Sequence, residues 1–476
     1  IFFRRSGGGL TLSGGEPLID DRRPRGSLLP QARLFLGRGR ELVEMASALA
    51  HPPAAIIISG PPGMGKSSLL LEAALRCGWR FPGGIAYAAG PRAEEARASS
   101  AESLLASLAG ELGLGRTEDL FPYAAMQPVL LLLDNLDSLP DQEKVKLGEA
   151  LRRLGSESAA ILALRPSSQI LEELPIAVSI RLHHGLAVKQ AAEYALAQSA
   201  QRGIPLTVEK ANLIASAVSG HPLLVERLVA QAGRQDLDEL LEDVAKKSGD
   251  YASQIERVYS WCAAGLDPAG EAAWRALPLF PGGSAPEVVL AAASGEGGPE
   301  RLREAALADF DSSGQLWRWH ATVAEYARGH WPFTPDEQRA RRIALLPAWE
   351  MWLKRLPAGE QRTHSRLEGS RTNLEAAVAD CAGASTEQSQ AFLDALETQL
   401  PPADRTLKLR EMKELVLRAK LDLLQVEDKD ERSRLLNNLG AALSALGRRD
   451  EALAAAQEAA GIYRKLAEKN PQAFLP

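Results

Sequence analysis

Residues 60–67 read Gly-Pro-Pro-Gly-Met-Gly-Lys-Ser, the spacing G-x-x-x-x-G-K-[ST] with which a backbone wraps around phosphate. Gly60, Gly63 and Gly65 let the chain curl until its N–H groups point inward at phosphate oxygens, and Met64 lies within the same turn. Lys66 is placed to reach β- and γ-phosphates and Ser67 to ligate Mg²⁺, with Ser68 beside them. A helix starting near Lys66 adds its positive end to the same spot. Further on, the apolar run Val129 to Leu133 ends in Asp134-Asn135-Leu136-Asp137. Asp134 is placed to hold Mg²⁺ through water, opposite Ser67. The position after it often carries an acid that polarises the attacking water. Here it is Asn135, which cannot accept a proton, so Asp137 is the candidate substitute. The expectation is a bound nucleoside triphosphate hydrolysed slowly, as suits a timer or switch better than a motor. The plain alternatives are a glycine-rich loop that binds nothing and an acid that follows an apolar run by chance.

These side chains need a scaffold. Ala54 to Ser59, with Ile56, Ile57 and Ile58 β-branched, reads as the strand feeding the loop, and Leu69, Leu70 and Ala73 as the helix leaving it. Between residues 54 and 182, runs at 54–59, 85–89, 128–133, 159–164 and 177–182 read as strands. Helical patterns fall near 66–77, 98–112 and 141–153. Such alternation predicts a parallel sheet covered on both faces, an α/β phosphate-loop fold over 31–182 with its ligand at the carboxyl ends of the strands. Helical periods at 187–201, 207–218, 222–232 and 236–247 predict a helical domain over 183–250. Residues 251–333 combine helices near 255–264, 268–276 and 285–293 with a hairpin through Leu316-Trp317-Arg318-Trp319, which suits a winged-helix domain.

After residue 334 the pattern is helical throughout, with a connector over 334–425 and a tail over 426–476. Leu435-Leu436-Asn437-Asn438-Leu439-Gly440, Leu443, Leu446-Gly447, Glu451-Ala452-Leu453 and Tyr463 alternate small and large residues as a tetratricopeptide helix pair does. A helical hairpin without repeats is the alternative. The stripe Leu439, Leu443, Leu446 and Leu453 is wider than one pair can bury, so a further repeat is expected to cover it. At the other end, Gly7-Gly8-Gly9, Gly14-Gly15 and Arg22, Arg23, Arg25 give residues 1–30 the composition of a linker or remnant of an earlier domain. The opening at Ile1 and the stop at Pro476, directly after a helical pattern, suggest cuts in a longer polypeptide.

The 476 residues exceed one core, and about three or four domains are expected. A net charge of −6 argues against general nucleic-acid affinity. Cys77, Cys262 and Cys381 lie far apart with no C-x-x-C spacing and read as buried small residues in a reducing compartment. With no apolar stretch of membrane-spanning length and no signal peptide, a soluble cytoplasmic protein is expected. The pair His183-His184 has no partner at metal-ligand spacing.

Taken together, the motifs resemble those of the signal-transduction ATPases with numerous domains (STAND), in the NB-ARC branch, over about residues 31 to 333. Phe35-Leu36-Gly37-Arg38-Gly39-Arg40-Glu41-Leu42 resembles the family opening F-V-G-R-E-x-E-L, which implies that the backbone at Phe35 and Leu36 meets adenine and that Arg38 lies at the nucleotide. Ile161-Leu162-Ala163-Leu164-Arg165-Pro166 resembles the strand ending in T-S-R, so Arg165 is the implied γ-phosphate sensor. Ser219-Gly220-His221-Pro222-Leu223 resembles the G-x-P-L turn, whose proline, here Pro222, packs on adenine. Trp317-Arg318-Trp319-His320-Ala321 resembles the M-H-D motif, in which the histidine, here His320, touches the β-phosphate of ADP. Each has a plain rival. The alternatives are that Arg38 and Arg165 are surface arginines, Pro222 a proline in the first turn of a helix, and His320 a hydrogen-bonded structural histidine. Gly39, Ala163-Leu164 and Ala321 depart from the family pattern, and the missing Asp after His320 implies a looser clasp in the resting state.

The resemblance implies an ATP/ADP switch. ADP holds a closed monomer, a protein or peptide trigger acts on the C-terminal repeats, and ATP exchange favours a homo-oligomer that gathers domains preceding Ile1. Transcriptional regulation and bacterial immunity are both open, no membrane is involved, and DNA enters only through such a preceding domain. The competing readings are an initiator-like ATPase that grips DNA with its winged helix and a scaffold whose nucleotide is structural.

Overall fold

The computed structural model describes residues 3–6, 9–12, 34–90, 100–164, 176–234, 236–245, 251–312, 314–357, 361–401, 409–424 and 428–469. Strands β1 (Phe3–Ser6) and β2 (Gly9–Leu12) pair antiparallel within the stretch read as linker, so part of it is paired strand.

The phosphate-loop unit is a five-stranded sheet of β3 (Ala54–Ser59), β4 (Gly84–Ala89), β5 (Val129–Asp134), β6 (Ala159–Leu164) and β7 (Ile176–Arg181). The order is β4-β5-β6-β3-β7, with every pair parallel. Helices α1 (Gly39–Leu49), α2 (Lys66–Cys77), α3 (Ala101–Glu111), α4 (Leu120–Met126) and α5 (Asp141–Leu151) cover both faces. That coverage explains why β3, β5 and β6 are buried along their whole length and read as continuous apolar runs. Leu130 and Leu132 join Ile56, Ile58, Leu69 and Leu70 in one core, while Leu131 and Leu133 join Ile57, Leu104, Leu108 and Leu147 in the other. The predicted α/β fold is therefore the observed one. Because β6 lies between β3 and β5, the loop after β3 and the acid ending β5 flank its carboxyl end.

A helical unit follows, with α6 (Val188–Arg202), α7 (Val208–Ala217), α8 (Pro222–Ala232), α9 (Leu237–Ala245) and α10 (Tyr251–Ala264). Next come α11 (Pro268–Ala276), β8 (Ser284–Pro286), α12 (Glu287–Ser294), α13 (Gly298–Glu304), β9 (Ala308–Asp311), β10 (Leu316–Trp319) and α14 (Ala321–His330). The three strands form an antiparallel sheet of order β8-β10-β9. Both units share a core containing Leu224, Leu228, Tyr259, Trp274, Trp317 and Trp319. Trp274 donates its indole N–H to Val323 O at 2.8 Å, so this large side chain is buried without an unsatisfied donor.

The rest is helical: α15 (Pro335–Ala344), α16 (Leu346–Arg355), α17 (Gln361–Gly369), α18 (Arg371–Asp380), α19 (Thr386–Gln399), α20 (Arg410–Leu423), α21 (Lys429–Ala445) and α22 (Arg449–Lys469). The last two form a hairpin in which Gly440 lets the helices approach, a Cβ there lying 3.3 Å from Ala452 O. Leu439 and Leu443 are buried in a cluster that takes Leu417 from α20, whereas Leu453 is 58% exposed. The expected stripe is thus split, with one part covered by α20 and the other facing outward. Helix α20 also reaches back to the phosphate-loop unit. Arg410 Nη1 donates to Gly115 O at 2.6 Å and to Ala445 O at 2.9 Å, and Ser103 Oγ donates to Glu411 at 3.3 Å. Among the described residues no helix is long and apolar enough to cross a membrane. Cys77, Cys262 and Cys381 are buried free thiols.

Candidate functional site

Three different constraints demand glycine in the turn between β3 and α2. At Gly60 a Cβ would sit 2.6 Å from Leu182 O, because the chain leaving β7 passes directly beside it. Gly63 has φ +78 and is pressed from outside, where a Cβ would meet His221 Cε1 at 2.7 Å and Leu223 at 2.8 Å. Gly65, with φ +87 and nothing within 4 Å of a Cβ, is needed for its conformation alone as it turns into α2. Met64 is 1% exposed and anchors the turn in the core below. Lys66 Nζ donates to Gly60 O at 2.8 Å and to Pro61 O at 3.2 Å, so the loop's own carbonyls hold the cation over it. Ser68 is half-buried on the first turn of α2 and Ser67 is exposed.

Ser67 Oγ donates to Asp134 Oδ1 at 2.9 Å, which joins the two halves of the site read from the sequence. Asp134 is 7% exposed and is the last residue of β5. It also accepts from Asn135 N at 2.8 Å and from Tyr87 Oη at 3.2 Å. Tyr87 carries no signal of this role in the sequence. It lies opposite Leu132 in the β4–β5 register, so it shares a face with Asp134, but finding it required the strand order. Asn135 has φ 52, and its amide donates to Gly90 O at 3.2 Å. Asp137 follows, half-buried, in the short turn Leu136–Ser138.

On the other flank, Arg38 has φ 57, pairs with Glu41 at 3.1 Å and donates to His184 O at 2.8 Å. It lines a cavity of about 330 Å³ with Arg40, Glu41, Arg181, His184 and Gln190. Phe35 packs half-buried against the core beneath α1 and α2, and Leu36 is half-buried beside it. Pro222 opens α8.

The residue before it, His221, is fully buried, and the motif gives a role to the proline but none to this side chain. Its Nε2 lies 3.1 Å from Pro62 O, and its Nδ1 accepts from Leu224 N at 3.4 Å. Burial lowers its pKa to about 4, so the ring is neutral. His320 sits in the unit of antiparallel strands, where it caps α14. Its Nδ1 meets Thr322 Oγ1 at 2.8 Å, and that hydroxyl meets Tyr259 Oη at 2.7 Å. Arg165 lies outside the described residues.

The loop, Lys66, Ser67, Asp134 and Asp137 are therefore gathered at the carboxyl ends of β3 and β5, with Arg38 on one flank and His221 and Pro222 on another. Carboxylate and hydroxyl oxygens at Asp134 and Ser67 suit a hard divalent cation such as Mg²⁺. A glycine-rich turn beside a lysine and the N-terminus of α2 suits phosphate.

No family model matches the chain, and no curated protein matches it. Among solved structures, it resembles a STAND protein with a tetratricopeptide repeat sensor from Pyrococcus horikoshii, at 14% identity over 94% of this chain and 79% of that one with a TM-score of 0.45. It also resembles a Walker-type ATPase of Pyrococcus abyssi, at 14% identity over 63% of this chain and 99% of that one with a TM-score of 0.36. A third likeness is to RuvB, the Holliday junction branch migration motor of Thermotoga maritima, at 15% identity over 63% and 96% with a TM-score of 0.31. These are loose likenesses in the course of the chain, and the reading of the site rests on its own residues.

Proposed function

We propose that this chain is a cytoplasmic ATP- and ADP-binding switch of the signal-transduction ATPase class, of NB-ARC type. The observation that carries this reading is the Ser67 Oγ to Asp134 Oδ1 bond of 2.9 Å at the mouth of the 60–67 loop. It pairs the hydroxyl and carboxylate that a phosphate-loop enzyme uses for Mg²⁺. When bound, Mg²⁺ supplies positive charge against the β- and γ-phosphate oxygens. In this reading Lys66 binds those oxygens, Asp134 and Ser67 hold the cation, Phe35, Leu36, Arg38 and Pro222 surround the nucleoside, and Arg165 senses the γ-phosphate. Asn135 has no carboxylate to take a proton from water, which supports slow turnover with Asp137 as the nearby acid.

The order helix, strand, helix, helix, strand, strand from α11 to β10 supports a winged-helix unit, in which His320 would close on ADP. The α21–α22 hairpin supports a tetratricopeptide sensor for a protein or peptide trigger. The reach of α20 to Gly115 supports a closed resting form, and in this reading ATP favours a homo-oligomer. Transcriptional regulation and immunity stay equally open.

The test is calorimetry with ATP and ADP, with and without Mg²⁺, on the parent and on Lys66→Ala. Removing the charge-assisted contact should cost several kcal/mol, about 3 to 5, and abolish measurable binding. Unchanged affinity in Lys66→Ala would overturn the assignment.

A further inference from the structure

We infer that His221 is a positioning residue of the phosphate loop, holding the Pro62 carbonyl through its Nε2–H and thereby tying the loop's shape to the packing of α8. This rests on the reading of residues 60–67 as a phosphate site. Leu224 N–H donates to Nδ1, so Nδ1 is the acceptor and the ring proton sits on Nε2, from which it is donated to Pro62 O. In a planar trans peptide the C=O and N–H point in opposite directions. Holding the Pro62 carbonyl toward the imidazole therefore turns the Gly63 N–H away from it. That is one of the N–H groups a phosphate-binding turn presents to its ligand.

The contact is more than one hydrogen bond. His221 Cε1 and Leu223 occupy the space a Gly63 Cβ would need, at 2.7 and 2.8 Å. Behind the ring, Tyr251 at the start of α10 lies 5.0 Å away between centroids, tilted by 51°. The backbone bringing His221 here is pinned by Leu186 N donating to Gly220 O at 2.8 Å, and Gly220 itself leaves no room for a side chain, since a Cβ would lie 1.9 Å from Leu186 O. Beyond the cap, α8 runs into the shared core with Leu224 and Leu228. A change in the shape of the loop must therefore move the N-terminus of α8, and α8 carries that motion toward the unit holding Trp274 and Trp319. Burial holds the imidazole neutral, with Arg38 and Lys66 acting in the same direction, which keeps the donor and acceptor roles assigned.

The experiment uses the full chain, with ADP and a non-hydrolysable ATP analogue in Mg²⁺ buffer as probes and Lys66→Ala as the control. His221→Asn keeps an acceptor for the α8 cap but is too short to reach Pro62, whereas His221→Gln places an amide donor near the Nε2 position. A helix cap alone would be served best by Asn. The positioning role predicts that the Asn variant melts like the parent yet binds both nucleotides roughly 3- to 10-fold more weakly, with Gln restoring affinity to within about twofold. Hydrogen exchange over 223–229 should slow on adding ADP in the parent and the Gln variant but not in the Asn variant. Should His221→Asn fail to fold, His221→Met, which lacks the donor but has similar reach, takes its place. Parent-like affinity in the donor-less variant, or equal impairment of the Gln and Asn variants, overturns the proposal while leaving the phosphate site intact. A parent that binds neither probe, or a Lys66→Ala variant that binds as the parent does, overturns the site and the proposal together.

Discussion

Gly63 and Gly65 share a left-handed backbone, with φ +78 and +87, but differ in what surrounds them. A Cβ at Gly65 meets nothing within 4 Å, while one at Gly63 would sit 2.7 Å from His221 Cε1 and 2.8 Å from Leu223 Cβ. Gly65→Ala should therefore cost only the backbone penalty, about 1–2 kcal/mol. Gly63→Ala carries the same penalty plus overpacking of about 1–3 kcal/mol, because Leu223 and the imidazole belong to a buried helix start with nowhere to retreat. The predicted totals are about 1–2 kcal/mol for one variant and about 2–5 kcal/mol for the other. The assay is denaturant unfolding of both variants followed through the same transition, since a chain of several units need not unfold in one step. Only Gly63→Ala should also speed hydrogen exchange at the start of α8. Equal losses would refute the claim that α8 presses on the loop, and a larger loss at Gly65 would mean that the turn approaches something other than α8.

Three further outcomes are expected. Burial lowers the His221 pKa from 6.5 to about 4, so the folded chain holds it neutral; stability is full above pH 6.5 and falls as pH drops through that window. The contribution at pH 5 is a loss of about 2 kcal/mol, read as a steeper pH slope in the parent than in His221→Asn; equal slopes would contradict it. Arg410→Ala removes the donor to Gly115 O and Ala445 O, worth about 1.5–3 kcal/mol, so exchange near residues 112–116 and 443–447 should rise roughly 10- to 100-fold, and no change would show that α20 docks without it. Steady-state phosphate release should stay below roughly one per second because Asn135 is no base, and tens per second would contradict the switch reading.

The parallel sheet was legible because strands buried on both faces lose their polar alternation, and β3, β5 and β6 show that in every residue. The pairing of Ser67 with Asp134 was legible for a related reason: in such sheets the ligand groups gather at the carboxyl ends, so an acid ending one strand and a loop ending another need no further information to be brought together. Element ends were less exact. The third strand was expected at 128–133 and is Val129–Asp134, which places the carboxylate inside the ladder rather than after it.

What the sequence did not disclose depends on which chain passes beside which. Tyr87 reaches Asp134 only because β4 is the neighbour of β5, and strand order leaves no local trace. His221 stands in a motif whose proline has an obvious backbone role, and its own side chain acquires a meaning only from Gly63, which packs beneath it in the fold. The two residues explain each other. A glycine whose φ is positive satisfies a turn, but one whose missing Cβ is also filled by an imidazole and a leucine from a helix far along the chain marks a contact between units. The constraint on Gly63 is therefore twofold, the inner half set by its own φ and the outer half by the imidazole and leucine at the start of α8.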